Sequence, residues 1–144
     1  MPASAPFPRI MGMQLTKQSI DLGIVTTNGP AMLAFYRDVL GLAVAREMPM
    51  PGGNGVMHQM PCGQSVVKLV VLESTPAQAA PGGIQGATGY RYFTISVSNL
   101  AEMLQTCADA GHKVLMKERE IRPGVRIGMV ADPDGNWVEF LSVA

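Results

Sequence analysis

The chain has little of what marks several large protein classes. It holds two cysteines, Cys62 and Cys107, in 144 residues. That is too few for a disulfide framework, and they lack metal-type spacing. A reducing, cytoplasmic setting is therefore expected. Charged residues make up 15% of the chain, and 11 basic side chains balance 11 acidic ones. With no net charge and no basic run, capture of nucleic acid or of an anionic membrane surface is not expected. No apolar stretch approaches the roughly 18–20 residues that span a bilayer. Residues 1–8 contain three prolines and no charged start followed by an apolar core, so they do not read as a secretory signal.

What is present suits one small globular domain. Hydrophobic residues make up 47% of the chain, enough to bury a core. Residues 1–14 are expected to form a loosely held arm. Within 19–26, Ile20, Leu22 and Ile24 share one parity, as in a half-buried strand. Asn28-Gly-Pro follows, with Asn28 placed to cap and Pro30 suited to a first helical turn. Residues 31–40 then read as a helix with Met32, Phe35 and Val39 on one stripe, ended by Gly41. Strands are expected near 43–47, 55–60 and 65–73.

A Pro/Gly/Ala-rich linker over 75–89 separates this first module (15–74) from a second (90–144). There the order repeats: a strand over 91–98, Asn99 at a cap position, a helix over 100–110, and strands near 113–118, 125–130 and 136–143. Asn28 and Asn99 lie 71 positions apart (99 − 28), as do Asp21 and Tyr92, and Lys68 and Glu139. The expected fold class is α+β, with two βαβββ modules forming curved mixed sheets around a cleft.

On each key strand a polar residue opposes the apolar parity. Asp21 opposes Leu22 and Ile24, and Lys68 opposes Val67, Leu69 and Val71. Tyr92 and Thr94 oppose Phe93, Ile95 and Val97, while Glu139 opposes Val138 and Phe140. One face of each sheet should pack on helices and the other should line a polar cleft.

Two strings carry a resemblance. Phe35-Tyr-Arg-Asp-Val-Leu-Gly-Leu42, preceded by Asp21-Leu-Gly-Ile-Val-Thr-Thr-Asn28, resembles the opening of vicinal-oxygen-chelate proteins. Asp132-Pro-Asp-Gly-Asn-Trp-Val-Glu-Phe140 resembles their last turn and strand. This is the glyoxalase, bleomycin-resistance and dioxygenase superfamily, whose members include lyases, isomerases and metal-free drug-binding proteins. Fold kinship alone does not select among these.

The resemblance implies four metal-ligand positions, usually His, Glu or Gln, and here they hold Asp21, Lys68, Tyr92 and Glu139. An ammonium has no lone pair and repels a cation, so Lys68 argues against a divalent metal and no cofactor is expected. The expected arrangement sets Lys68 between Asp21 and Glu139, in place of the ion. Two carboxylates against one lysine would then raise one carboxyl's pKa, leaving Asp21 or Glu139 as general acid or base.

His58, Met60, Thr94 and Arg126 are further candidates for substrate contact: an imidazole for proton shuttling, a methionine for apolar packing, a hydroxyl, and a guanidinium for a carboxylate. His112, after a helix-ending glycine, is expected at the surface. Residues 50–55 and 81–89 read as flexible rims. The expected function is a metal-independent lyase or isomerase moving a proton on a small carbonyl or acid substrate. The alternatives are a sequestering protein without chemistry, and a divalent-metal enzyme using Asp21 and Glu139. The expected partners are a small-molecule ligand and a second copy of the chain, as a homodimer.

Overall fold

Apolar residues on alternating strand positions and on one helical stripe dictate a layered packing of helices on sheet. The computed structural model describes residues 12–144. Most of the arm expected over residues 1–14 lies outside them.

The first module runs β1 (Leu22–Thr26), α1 (Gly29–Leu33) continuing as a π-helix (Ala34–Val39), β2 (Arg46–Pro49), β3 (Val56–Cys62) and β4 (Ser65–Val71). The second runs β5 (Tyr92–Ser96), α2 (Leu100–Asp109), β6 (Val114–Arg122), β7 (Val125–Ala131) and β8 (Trp137–Val143). The sheet orders are β1-β4-β3-β2 and β5-β8-β7-β6. In each, the first strand pairs in parallel with the last and the remaining pairs are antiparallel. The α+β duplication expected from the sequence is thus what forms. Its offset survives in the hydrogen-bond ladder: Gly23 pairs with Lys68 as Thr94 pairs with Glu139.

Both modules share one core. Ile24, Met32, Phe35 and Leu69 from the first meet Leu104, Cys107, Val130 and Phe140 from the second. Burying each such side chain contributes about 1.5–3 kcal/mol. Tyr36 stacks on Phe93 across the modules with ring centroids 6.5 Å apart. His112 meets Phe35 edge to face at 4.8 Å, which corrects its expected surface position.

Phe35 and Tyr36 are consecutive, yet both are fully buried. An α-helix sets neighbouring side chains about 100° apart, at the two edges of one buried stripe. The π-turn, seen in the Leu40 N–H to Phe35 carbonyl bond of 2.9 Å, turns less per residue and brings both inward.

A second tie between modules is polar. Asp132, 4% exposed, accepts hydrogen bonds from Tyr36 Oη (2.7 Å), Asn136 Nδ2 (2.8 Å) and the backbone N–H groups of Asp134 and Asn136 (2.9 Å each). Thr26 Oγ1 donates to Asp134 Oδ2 at 2.5 Å. These bonds join the first module to the turn before β8.

Several boundaries moved. The helix begins at Gly29 rather than residue 31, because Asn28 already stands at the N-cap position. Neither Asn28 nor Asn99 uses its side chain as a cap. Thr26 Oγ1 accepts the Asn28 N–H instead. β2 starts three residues later than expected, since the ladder opens only where Ala45 N–H reaches the Gln59 carbonyl. β6 continues to Arg122, accommodated by three register shifts against β7.

The glycine-rich rims are pinned rather than loose. Asn54 Oδ1 accepts the N–H groups of Glu73 and Ser74 (both 3.1 Å), holding the β2–β3 loop. In the linker, Arg91 donates to the carbonyls of Gly83 (2.7 Å), Ala80 (2.8 Å) and Pro81 (3.2 Å). Gly83 lies flat on the Trp137 indole, where a Cβ would run into the ring. Replacing Arg91 with alanine should therefore loosen the linker more than the fold. We expect faster proteolysis within residues 76–82 for a stability loss of about 1–2 kcal/mol in urea unfolding.

Candidate functional site

Pleating sorts the side chains of each sheet onto two faces. In the first sheet, Leu22, Ile24, Val67 and Leu69 face the helices, while Asp21, Gly23, Val25, Lys68 and Gln59 face away. In the second, Phe93, Val138 and Phe140 face the helices, while Tyr92, Thr94, Trp137 and Glu139 face away. Asp21, Lys68, Tyr92, Thr94 and Glu139 therefore all lie on the open faces. The open faces are less polar than expected. Val70, Ile127 and Met129 are 7%, 7% and 2% exposed, with the open-face parity, and lie outside the helix-side core. A groove of about 270 Å³ separates the edges of β1 and β5, lined by Gly23, Val25, Tyr92, Phe93 and Trp137.

Three other candidates do not share that face. Met60 is fully buried opposite Val67 on the helix side. His58, two residues earlier on β3, takes the same side opposite Leu69; its Nδ1 lies 3.8 Å from Glu47 Oε2 and has no hydrogen-bond partner among the described residues. Arg126 shares the parity of Gly128 and Val130, again toward α2, and its Nε donates to Glu118 Oε2 at 2.6 Å. Strand register decides all three. A one-residue change of register would have moved each to the cleft.

The expected Asp21–Lys68–Glu139 trio does not close within one chain. Lys68 Nζ lies 3.9 Å from Asp21 Oδ2. Glu139, on the second sheet, instead accepts a 2.6 Å hydrogen bond from Thr94 Oγ1 on the neighbouring strand of that sheet. The closer cation on Asp21 is Lys17, whose Nζ donates to Oδ1 at 2.7 Å, and the Val66 N–H donates to the same oxygen at 2.9 Å. The Lys17 hydrogen bond holds the Asp21 carboxyl below its ordinary 3.8, against a smaller opposing effect of lost hydration. The expectation of a raised carboxyl is thus reversed at Asp21. It stays ionised at neutral pH and has no proton to give.

The donor set does not fit a divalent ion. Lys68, at one of the four ligand positions that the resemblance implies, carries an ammonium with no lone pair. Among the described residues, no group of three or more His, Cys, Asp or Glu side chains comes together. His58, the nearest histidine in the first module's sheet, pairs with Leu69 and faces the opposite side of that sheet from Lys68.

Residue-by-residue reading had not singled out Lys17, Arg46 or Gln59. Lys17 stands four residues before Asp21, a spacing that brings opposite charges together when the chain bends. Gln59 and Arg46 needed the strand register, which periodicity alone does not supply.

Among the described residues, no helix is long and apolar enough to cross a membrane. A family model for the Glyoxalase/Bleomycin resistance protein/Dioxygenase superfamily matches residues 10–140. No curated protein matches the chain. Among solved structures, a glyoxalase family protein from Bacillus cereus is similar with a TM-score of 0.77 at 15% identity, over 93% of this chain and 98% of that one. A glyoxalase family protein from Enterococcus faecalis is similar with a TM-score of 0.64 at 22% identity, over 89% and 96% respectively. Glyoxalase I from Zea mays gives 0.73 at 16% identity, over 88% of this chain but only 44% of its own. At such identities these likenesses speak for the fold alone. By the family match across nearly its whole length, the chain belongs to the glyoxalase/bleomycin resistance protein/dioxygenase superfamily.

Proposed function

We propose that this chain is a metal-independent member of its superfamily that moves a proton on a small, partly apolar carbonyl or acid substrate, in the manner of a lyase or isomerase. The observation that carries the reading is the Lys68 ammonium, 3.9 Å from the Asp21 carboxylate, at a position where the family resemblance implies a metal ligand. In this role Lys68 stabilises negative charge developing on a substrate oxygen. Glu139, oriented by Thr94, takes the proton, and Tyr92 donates a hydrogen bond. The Lys68 and Glu139 faces belong to separate sheets, and a homodimer is part of the proposal. Val25, Tyr92 and Val143, 54%, 50% and 71% exposed, all lie on the open side, where a second copy would cover them. The free thiols of Cys62 and Cys107 suit a reducing cytoplasm.

A second reading, sequestration without chemistry, draws on the largely apolar lining of the groove between β1 and β5 and on an Asp21 already engaged by Lys17. The two readings differ in what becomes of the ligand: turnover consumes it, whereas sequestration returns it unchanged.

The first test is elemental analysis of the untagged protein, with melting curves in Zn²⁺, Ni²⁺, Mn²⁺ and EDTA. We expect no stoichiometric metal and no shift in melting temperature. Stoichiometric metal, or clear stabilisation by one ion, would return the chain to the metalloenzyme branch. Once a substrate is in hand, Lys68→Met and Glu139→Gln should each lower kcat about 100-fold or more while leaving the melting temperature near that of the parent.

A further inference from the structure

Lys68 has direct partners on both sides across the first sheet. Gly23 on β1 pairs with it, Gln59 on β3 pairs with it, and Arg46 on β2 pairs with Gln59. Strands lie about 4.8 Å apart, so these four positions form a row across the open face. The side chains in that row are an ammonium, a carboxamide and a guanidinium. Among them only the carboxamide oxygen can accept a hydrogen bond.

The charge balance around the row favours an anion. Asp21 is the carboxylate in contact with Lys68, and Lys17 already neutralises it at 2.7 Å against 3.9 Å for Lys68. One carboxylate between two ammonium groups leaves a unit of positive charge at Lys68, with Arg46 further along the row. The Gln59 amide is also poorly satisfied. Its Nε2 rests on the thioethers of Met48 and Met57, at 3.6 and 3.7 Å, and thioether sulfur is a weak acceptor. Beside Lys68, a Cβ at Gly23 would meet nothing within 4 Å among the described residues, so the face is open there. The adjoining groove toward Tyr92 and Trp137 has about 270 Å³ of space.

We propose that this row is a carboxylate-binding subsite, which narrows the ligand to a monocarboxylic acid with an apolar body. Lys68 Nζ and Gln59 Nε2 grip the carboxylate, the space over Gly23 admits it, and the apolar body lies in the groove between β1 and β5. The inference rests on the reading of the cleft as a metal-free small-molecule site. The Lys17–Asp21 pair positions Lys68 and does not itself touch the ligand.

The test is isothermal titration of the full, EDTA-treated protein with 3-phenylpropanoate and with its uncharged analogue 3-phenylpropanamide. A charge-assisted grip should make the acid bind about ten-fold tighter than the amide, equivalent to about 1.4 kcal/mol. The difference should shrink as salt rises, because the groups are partly exposed. Lys68→Met should abolish the preference and Lys68→Arg should keep most of it. Gly23→Val should lose the acid by filling its space, with the melting temperature unchanged. Equal affinity for acid and amide, including no measurable affinity for either, overturns the subsite. So does a preference that survives Lys68→Met. Stoichiometric metal overturns the metal-free reading instead, and it is measured separately, so the two failures are distinguishable.

Discussion

Replacing Asp132 by alanine is expected to lower folding stability by about 3–5 kcal/mol, because it strands several buried donors at once. The carboxylate accepts four hydrogen bonds, two from backbone N–H groups of its own turn, one from Asn136 and one from Tyr36 in the other module. Neither Asp132 nor Tyr36 is open to water, so solvent does not take over their bonds. Urea unfolding would measure the loss, and a value under about 1 kcal/mol would mean that the turn rearranges to satisfy its own donors. Tyr36→Phe removes only one of the four bonds and should cost about 1–2 kcal/mol.

The same contact sets an alkaline limit. Burial, followed by the neighbouring Asp132 carboxylate, raises the Tyr36 phenol well above its ordinary 10.0. Below about pH 10 the phenol is protonated in both states, and its contribution is fully present. Above that the unfolded tyrosine ionises while the folded one holds its proton, so stability falls as pH rises toward the folded-state value. Urea midpoints taken from about pH 9 to about pH 11 should therefore drop more steeply in the parent than in Tyr36→Phe.

A comparably large effect is expected at Gly55, where alanine should cost about 3–5 kcal/mol. Its φ is +103°, a region L-residues rarely adopt, and a Cβ there would run into the backbone carbonyl of Val71. That carbonyl belongs to the end of the β3–β4 ladder, where Val56 pairs with Val71, so it has no room to move without breaking the sheet. Gly53, two residues earlier, has a φ of +80° but open space around it. Gly53→Ala should carry the conformational cost alone, about 1 kcal/mol. The difference between the two variants isolates the backbone collision. Equal losses would show that the β3–β4 ladder yields easily at its end.

Much of the fold could be read along the chain. Strand parity at Leu22 and Ile24, at Val67 and Leu69, and at Val138 and Phe140 correctly chose the faces that pack on the helices. The 71-residue offset reappears as the same register in the parallel strand pair of each sheet, β1 with β4 and β5 with β8. Helix existence was legible at both places, but its fine form was not. Two adjacent aromatics share one buried side within a π-turn over Ala34–Val39 that no local propensity announces. His112 was misjudged because its position after a helix-ending glycine says nothing about Phe35, which packs against it from the other module.

The candidate site divides the same way. The local sequence placed Asp21, Lys68, Tyr92, Thr94 and Glu139 on open faces, because a strand's side chains alternate by geometry alone. It could not place His58, Met60 and Arg126, since their faces depend on which residues they oppose across the ladder, a matter of pairing between distant segments. Nor could it assign partners to charges. The identity of residue 68 as lysine is written in the chain, as is the poor metal-binding chemistry that follows from it. That Lys17 rather than Lys68 is the closer cation on Asp21, and that Arg46, Gln59 and Lys68 line up across one sheet, was decided only by tertiary structure. Electrostatic pairing falls off with distance in space, and distance along the chain does not determine it.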